Sequence, residues 1–112
     1  MNITTNKSEA YFQIELDGDL DASSCLLLDN AIANAIQEGE KSLIIDCKKL
    51  QYISSAGLGV FMSYIQDFEE SKTKMILFGL ADKVYNVFRI LGLDELLKIV
   101  DSQEEAIQVA KI

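Results

Sequence analysis

The chain has 112 residues, 49% of them hydrophobic and 25% charged, which is the composition of one compact globular domain and not of a disordered chain. Its formal net charge of −8 argues against direct binding of nucleic acid, because recognition of a phosphate backbone requires clustered lysine and arginine. It contains no histidine and no uninterrupted apolar segment of the roughly 18 residues that span a bilayer, which excludes histidine-based catalysis and predicts no membrane span.

The first elements predicted are two strands. The segment AYFQIELDG alternates apolar and polar residues, with Phe12, Ile14 and Leu16 on one face, which is typical of a strand with one buried face. The β-branched segment MNITTN is predicted to pair with this strand through a turn at KSEA. The segment GDLDASS that follows is predicted to be a loop containing several helix-capping residues.

A helix is predicted to follow this loop and to end at about Gln37, because Gly39 is a typical C-terminal stop. Its apolar residues recur at helical spacing, as Cys25, Leu28, Ile32 and either Ala35 or Ile36. The next segment, KSLIIDC, is a short continuous apolar run, which is typical of an interior strand covered on both faces.

The second half of the chain continues to alternate helix and strand. After KKLQYISSAG, a second helix is indicated by the apolar residues Phe61, Tyr64, Ile65 and Phe68. KMILFGL and LLKIV are predicted strands. The segment between them, ADKVYNVFRILG, is a predicted helix that ends at Gly92 and has one apolar stripe, formed by Val84, Val87, Phe88 and Leu91. SQEEAIQVAKI is predicted to be a last helix, with a capping box at Ser102 and Glu105.

Strands that alternate with helices require a mostly parallel sheet, because parallel neighbours are joined by crossover helices. The sequence therefore predicts an α/β fold with a mixed, mostly parallel sheet of about five strands packed with about four helices. The chain shows no linker, repeat or low-complexity segment, and it contains no proline. Residues 1–112 are therefore predicted to form one domain.

The two cysteines do not predict a metal site. Cys25 and Cys47 are 22 positions apart in a chain without histidine, whereas structural zinc requires four nitrogen or sulfur ligands. Both lie among apolar residues, so we expect small buried side chains in a reducing compartment. The segment MNITTNKSEA lacks the features of a signal peptide, and we expect a cytoplasmic protein without a cofactor.

The glycine-rich segment SAGLGV does not match any nucleotide-binding or catalytic motif. A P-loop would continue with lysine, but Gly59 is followed by Val60 and Phe61. A dinucleotide-binding loop would require a third glycine at Met62, and a hydrolase elbow would require a glycine at Ile53. The match of Ser71 and Lys74 to a Ser-x-x-Lys motif lacks the accompanying motifs. The sequence therefore predicts a protein that is not an enzyme.

Two adjacent serines begin the second predicted helix, and two interpretations of them remain open. Ser54 and Ser55 are good helix caps, so the segment SSAGLG requires no further function. A helix N-terminus also stabilises a phosphate, and a phosphate there would strongly change a docking surface. The small residues Ala56, Gly57 and Gly59 would allow a second surface to approach the backbone closely.

The segment LIIDCKKLQYISSAGLGVFMSY resembles the central motif of STAS domains, in particular the stand-alone bacterial anti-sigma factor antagonists. The resemblance extends over nearly the whole chain, including GDLDASS and the C-terminal half. It implies partner switching. In that mechanism the unphosphorylated antagonist binds an anti-sigma factor that is also a serine kinase. Phosphorylation of a serine at the start of the second helix then releases it, and a serine phosphatase restores binding.

The resemblance also implies roles for individual residues. The phosphoacceptor falls on Ser55, and Asp21 and Asp46 match the acids of the first loop and the central strand. Asp21 as a helix N-cap and Asp46 as a partner of loop amides remain alternatives. The best-characterised antagonists carry aspartate before the phosphoserine, and Ser54 stands there in this chain. Ser54 is therefore an alternative acceptor or simply a better cap.

The leading hypothesis from the sequence is an anti-sigma factor antagonist that binds its partner through two neighbouring segments. The predicted contact residues are Asp19, Asp21, Ser23, Ser54, Ser55, Ala56, Gly57, Leu58 and Gly59. One alternative is a STAS scaffold or sensor-output module that binds another signalling protein without being phosphorylated. Another alternative is a nucleotide-binding domain, although the chain has no phosphate-binding lysine in the glycine-rich segment.

Overall fold

The computed structural model describes all residues 1–112 and contains five strands and five helices. The strands are β1 (Asn2–Lys7), β2 (Phe12–Leu20), β3 (Ser42–Ile53), β4 (Lys74–Phe78) and β5 (Lys98–Val100). The helices are α1 (Cys25–Gln37), α2 (Ser55–Ser71), α3 (Asp82–Ile90), α4 (Leu93–Leu96) and α5 (Gln103–Ala110). None of the helices is long and apolar enough to cross a membrane.

The strands form one sheet in the order β1-β2-β3-β4-β5, so every strand lies beside its neighbour in the sequence. The β1–β2 pair is antiparallel and the other three pairs are parallel, which confirms the predicted mixed, mostly parallel sheet. Because the parallel strands advance in one direction and crossovers are right-handed, the connecting helices all lie on one face of the sheet. Helix α5 follows the last strand and covers the opposite face.

The core therefore has two unequal parts. The larger part joins the inner face of β2, β3 and β4 to α1, α2, α3 and α4, and its largest fully buried side chains include Phe61 and Phe88. The smaller part packs Ile44, Ile76 and Phe78 against Ala106 and Ala110. The continuous apolar runs in β3 and β4 thus reflect burial on both faces, whereas the alternating run in β2 reflects burial on one.

Strands β2 and β3 are longer than the sequence predicts, and they continue together beyond the last β4 pair, Asp46 with Phe78. The predicted loop GDLDASS is therefore wrong in part, since β2 extends to Leu20, and β3 extends beyond the predicted strand KSLIIDC to Ile53. The pairing passes from Glu15/Asp46 to Asp17/Lys49, and from Gly18/Leu50 to Asp19/Tyr52. Each step inserts one extra residue in β3, so the alternation with period two is lost there.

Several local predictions need correction. The predicted third helix ends at Ile90, and after Gly92 the chain makes the one-turn helix α4, which the sequence analysis missed. Leu91 is 57% exposed and does not belong to the apolar stripe of α3. In α1, Ala35 is the buried residue, Ile36 is exposed, and Cys25 is only half-buried.

Other local predictions are confirmed. Cys47 is fully buried, and burial beside Asp46 raises the pKa of its thiol well above the usual range. Gly39 follows α1 with a positive φ of 88°. Of the capping box predicted at Ser102 and Glu105, one half is found: the Oγ of Ser102 accepts a hydrogen bond from the N–H of Glu105 at 3.2 Å, and no reciprocal bond to the Glu105 carboxylate forms.

Candidate functional site

The predicted site lies at the tip of the extended β2–β3 pair, where α1 and α2 both begin. Leu20, the last residue of β2, pairs with Ile53, the last residue of β3. The N–H of Ser54 donates a hydrogen bond to the carbonyl oxygen of Leu20 at 2.9 Å. The two segments predicted to bind a partner are therefore brought side by side by the sheet itself.

The two serines have different environments. Ser54 is half-buried and extended (φ −92°, ψ 172°), and its Oγ accepts a hydrogen bond from the N–H of Gly57 at 3.2 Å. This is the geometry of a helix N-cap. Ser55 is the first residue of α2 and is exposed, and its hydroxyl makes no hydrogen bond within the chain. Ser54 is therefore a structural cap, and Ser55 has the accessible hydroxyl.

We expect Ser54→Ala to lower the free energy of unfolding by about 1 kcal/mol, because it removes the cap of α2. Ser55→Ala is the matched control, and we expect it to change the free energy by less than about 0.5 kcal/mol. Urea denaturation of the two variants and the parent protein measures both effects. Equal losses of stability in the two variants would contradict the assignment of the cap.

Asp21 organises the turn that leads into α1. Its Oδ1 accepts hydrogen bonds from the N–H groups of Ser23 at 3.0 Å and Ser24 at 3.1 Å, and from the Ser23 hydroxyl at 2.7 Å. The carbonyl oxygen of Asp21 accepts a bond from the N–H of Cys25 at 2.9 Å. Asp21 thus organises the turn before α1, but the prediction that it is the helix N-cap is wrong, because Ser24 occupies that position.

The hydrogen bonds from the Ser23 and Ser24 hydroxyls hold the pKa of the Asp21 carboxyl below its ordinary value of 3.8. These hydrogen bonds therefore stabilise the turn at pH values above the pKa that Asp21 has in the unfolded chain. This stabilisation is lost as the pH falls through the lower pKa that Asp21 has in the folded protein. We expect an NMR titration to show the lowered pKa and Ser23→Ala to raise it toward 3.8. Ser102→Ala, at the other end of the chain, is expected to leave it unchanged.

A side-chain hydrogen bond joins α1 to α2 behind this turn. The hydroxyl of Tyr64 donates to the Oδ1 of Asp29 at 2.6 Å. Burial raises the pKa of the Tyr64 phenol well above its usual range, and the bond to Asp29 adds to the effect. The hydrogen bond from the phenol to Asp29 helps to fix α1 against α2.

The remaining predicted residues fall into an exposed and a buried group. Asp19, Ser23, Ala56 and Gly59 are exposed, whereas Gly57 and Leu58 are buried. A Cβ on Gly57 would lie 2.8 Å from Leu20 Cγ, so Gly57 allows α2 to sit directly on the end of β2. We call the surface formed by Asp19, Asp21, Ser23, Ser54, Ser55, Ala56 and Gly59 the Ser55 face.

Asp46 is not part of the Ser55 face. It is buried in β3, eight residues before Ser54. Its Oδ1 accepts a hydrogen bond from the N–H of Lys48 at 3.0 Å, and its Oδ2 lies 3.8 Å from the Lys48 ammonium. The structure therefore shows the local role, in which Asp46 satisfies a backbone amide.

Four exposed apolar side chains, none of them predicted from the sequence as part of the site, lie next to the Ser55 face. Leu26 and Leu27 lie in the first turn of α1, Tyr52 pairs with Asp19 across the strands, and Met62 lies on α2. Met62 shares one side of α2 with Ser55 and Gly59, at i, i+4 and i+7. Exposed apolar side chains bordered by polar residues mark many protein-binding surfaces.

The comparisons with known proteins agree with this geometry. A family model described as the STAS domain matches residues 2–106. A curated relative from Staphylococcus aureus, named anti-sigma-B factor antagonist, is 22% identical over 104 residues, which cover 93% of this chain and 96% of the relative.

Two solved structures have the same fold. A putative anti-sigma factor antagonist from Thermotoga maritima superposes with a TM-score of 0.91 at 18% identity and covers 98% of this chain and 95% of its own. The Bacillus cell fate determinant SpoIIAA, solved in its phosphorylated form, gives a TM-score of 0.74 at 23% identity and covers 96% and 98%.

Proposed function

The chain belongs to the STAS domain family, and on this premise we propose that it is an anti-sigma factor antagonist that acts by partner switching. The unphosphorylated protein binds an anti-sigma factor that is also a serine kinase. Phosphorylation of Ser55 releases this partner, and a serine phosphatase restores binding. The name of the Staphylococcus aureus relative supports the class of partner, and the phosphorylated Bacillus structure supports the modification.

The observation that carries the proposal is that Ser54 and Ser55 have different roles at the start of α2. Ser54 caps α2 with its own hydroxyl, so α2 begins correctly whatever happens to Ser55. The exposed hydroxyl of Ser55 is accessible to a kinase. The capping bond uses the N–H of Gly57 and leaves the N–H groups of Ser55 and Ala56 without an intrahelical partner. These groups and the helix dipole would stabilise a phosphate at Ser55.

The same surface explains why a phosphate would oppose binding. The Ser55 face is flanked by Leu26, Leu27, Tyr52 and Met62, which a partner would bury on contact. A phosphate adds about −1.5 to −2 charges at the centre of this surface. Burying the apolar flanks would then require removing water from the phosphate, which is strongly unfavourable. The carboxylates of Asp19 and Asp21 add repulsion for any acidic group of the partner.

The test uses the purified protein, the candidate anti-sigma factor kinase and ATP, with mass spectrometry to locate the phosphate. We expect phosphate on Ser55 and none on Ser54. We expect Ser55→Asp to weaken binding of the kinase at least about tenfold, and Ser55→Ala to keep binding but block phosphorylation. Ser63→Asp places the same charge elsewhere on α2 and is the matched control. An unphosphorylated Ser55 together with normal binding by Ser55→Asp would refute the switch.

Ser54 itself favours one second candidate function. The best-characterised antagonists carry aspartate at the position where this chain has Ser54. The Ser55 face could therefore be the binding surface of a STAS scaffold or sensor-output module that is never phosphorylated. A pull-down from cells distinguishes the two functions. A partner without a kinase domain, lost in Met62→Ala but kept in Ser55→Asp, would support the scaffold.

A further inference from the structure

Strand β1 forms an open edge of the sheet. It pairs with β2 on one side only, because the strand order begins with β1. Its outward-facing backbone N–H and C=O groups have no hydrogen-bond partner in the chain. All of its residues except Ile3 are exposed, and Ile3 packs against the larger core. The edge is therefore accessible and also firmly anchored.

Strand β1 lacks the features that usually protect a sheet edge, which are proline, a bulge, a very short strand or a charged side chain directed across the edge. It has six residues without proline or glycine, and it pairs with β2 from Asn2 to Lys7 without a register shift. The ammonium of Lys7 lies 2.8 Å from Oε2 of Glu40 and is bound within the chain. The opposite edge, β5, has only three residues. The sheet therefore has one edge that can accept a further strand.

The charges at this edge favour a second copy of the chain as the occupant. The chain contains 18 acidic residues, and the first of them is Glu9, so residues 1–8 carry none. The one charge on β1, that of Lys7, is balanced by Glu40. A charged partner strand would find no opposite charge on β1, whereas a second β1 brings none. Two molecules with a net charge of −8 repel each other, and β1 allows contact without a carboxylate on the contacting strands.

The geometry of antiparallel pairing fixes how two β1 strands meet about a two-fold axis. Residues that oppose each other must lie on the same face of the joined sheet, so the axis passes through a residue and not between two. An axis at Thr4 places the two Thr4 residues opposite each other and Asn2 opposite Asn6. An axis at Thr5 would draw Lys7 into the pairing, whereas the axis at Thr4 leaves it beyond the paired segments.

We propose that the chain forms a weak homodimer in which two β1 strands pair antiparallel about a two-fold axis at Thr4. Association closes at two molecules, because each sheet has one edge for a further strand. The pairing makes about four to six backbone hydrogen bonds and buries little apolar surface, so we expect a dissociation constant between about 10 μM and 1 mM. The two Ser55 faces point in opposite directions and both stay open. The proposal does not depend on the proposed function.

Sedimentation equilibrium of the full chain between about 10 μM and 1 mM measures the association. We expect a monomer–dimer equilibrium. We also expect NMR spectra of the isotope-labelled protein at the two ends of this range to differ mainly at Asn2 to Asn6. A monomer at all concentrations, species larger than a dimer, or concentration-dependent shifts centred on another surface would each overturn the proposal.

Charged substitutions of Thr4 test the position of the axis. Thr4→Lys and Thr4→Glu each place like charges opposite each other, and we expect each to weaken dimerisation about two- to five-fold. An equal mixture of the two variants places opposite charges there and is expected to dimerise at least as well as the parent protein. Ser63→Lys and Ser63→Glu, which make the same changes of net charge on α2, are the matched controls. Equal dimerisation of the Thr4 and Ser63 variants, or no recovery in the mixture, would overturn the pairing at Thr4.

Discussion

Replacing Gly57 by alanine is expected to lower the free energy of unfolding by about 1–3 kcal/mol, although alanine is the better helix former. The new Cβ would lie 2.8 Å from Leu20 Cγ, 2.9 Å from Cδ2 and 3.0 Å from the Leu20 carbonyl oxygen. Leu20 is fully buried and its carbonyl accepts the N–H of Ser54, so it cannot move aside freely. The start of α2 must shift instead, which strains the contact between α2 and β2.

Gly59→Ala is the matched control for this variant. Gly59 lies two residues further along the same helix, and a Cβ there would meet no atom within 4 Å. We expect this substitution to raise the free energy of unfolding by about 0.5–1 kcal/mol, because it removes the entropic disadvantage of glycine in a helix. Urea denaturation measures the free energy of unfolding of both variants, and we expect the m-value to be unchanged. A stabilising effect of the same size at both positions would show that α2 has room to adjust at Leu20.

The sequence predicted the order of the elements because most of them have simple apolar patterns. The α1 stripe of Leu28, Ile32 and Ala35 and the α2 residues Phe61 and Phe68 are buried as helical spacing requires. The run KSLIIDC is buried on both faces of the sheet, as a continuous apolar segment requires. These elements are determined by short-range periodicity, which a single sequence displays directly.

The extent of β2 and β3 could not be predicted from the same patterns. In β3 the buried residues Ile45, Cys47, Leu50 and Ile53 are separated by two, three and three positions. That spacing results from the two extra residues in β3, which depend on pairing with β2 and are not visible in β3 alone. Helix α4 is similarly hidden, because a single turn of four residues has no measurable periodicity.

For the site, the sequence placed the two serines at a helix start but could not assign their roles. Both residues are good caps by type, and only the backbone geometry shows that Ser54 accepts from Gly57 while Ser55 points to solvent. The exposed apolar side chains beside the Ser55 face could not be predicted from residue type either. Leu26 and Leu27 look like core residues by type, and their exposure follows from the rotation of α1 on the sheet.

Phe61 and Met62 are neighbours on α2, and substitutions of them are expected to have different effects. Substitution of Phe61 is expected to lower stability, and substitution of Met62 is expected to weaken binding. Phe61 is fully buried, and its ring centroid lies 5.9 Å from that of Phe88 with the planes tilted by 58°, so it joins α2 to α3. Phe61→Ala is expected to cost about 3–5 kcal/mol of the free energy of unfolding, because it leaves a large cavity in the core. A domain of this size has about 5–15 kcal/mol in total, so the milder Phe61→Leu keeps the measurement possible if the alanine variant unfolds.

Met62 is 52% exposed beside the Ser55 face, and Met62→Ala is expected to change the free energy of unfolding by less than about 0.5 kcal/mol. If Met62 is an apolar anchor for the partner, the same substitution weakens binding of the anti-sigma factor by about 1 kcal/mol or more, roughly five-fold in affinity. Phe61→Leu should show the reverse, with lower stability and nearly unchanged affinity while the protein is folded. Urea denaturation and calorimetric titration measure the two quantities separately. A partner that reached Met62 would bury its side chain, so Met62→Ala would then weaken binding. Unchanged binding by this variant would therefore confine the docking surface to the Asp21 turn and the first turn of α2.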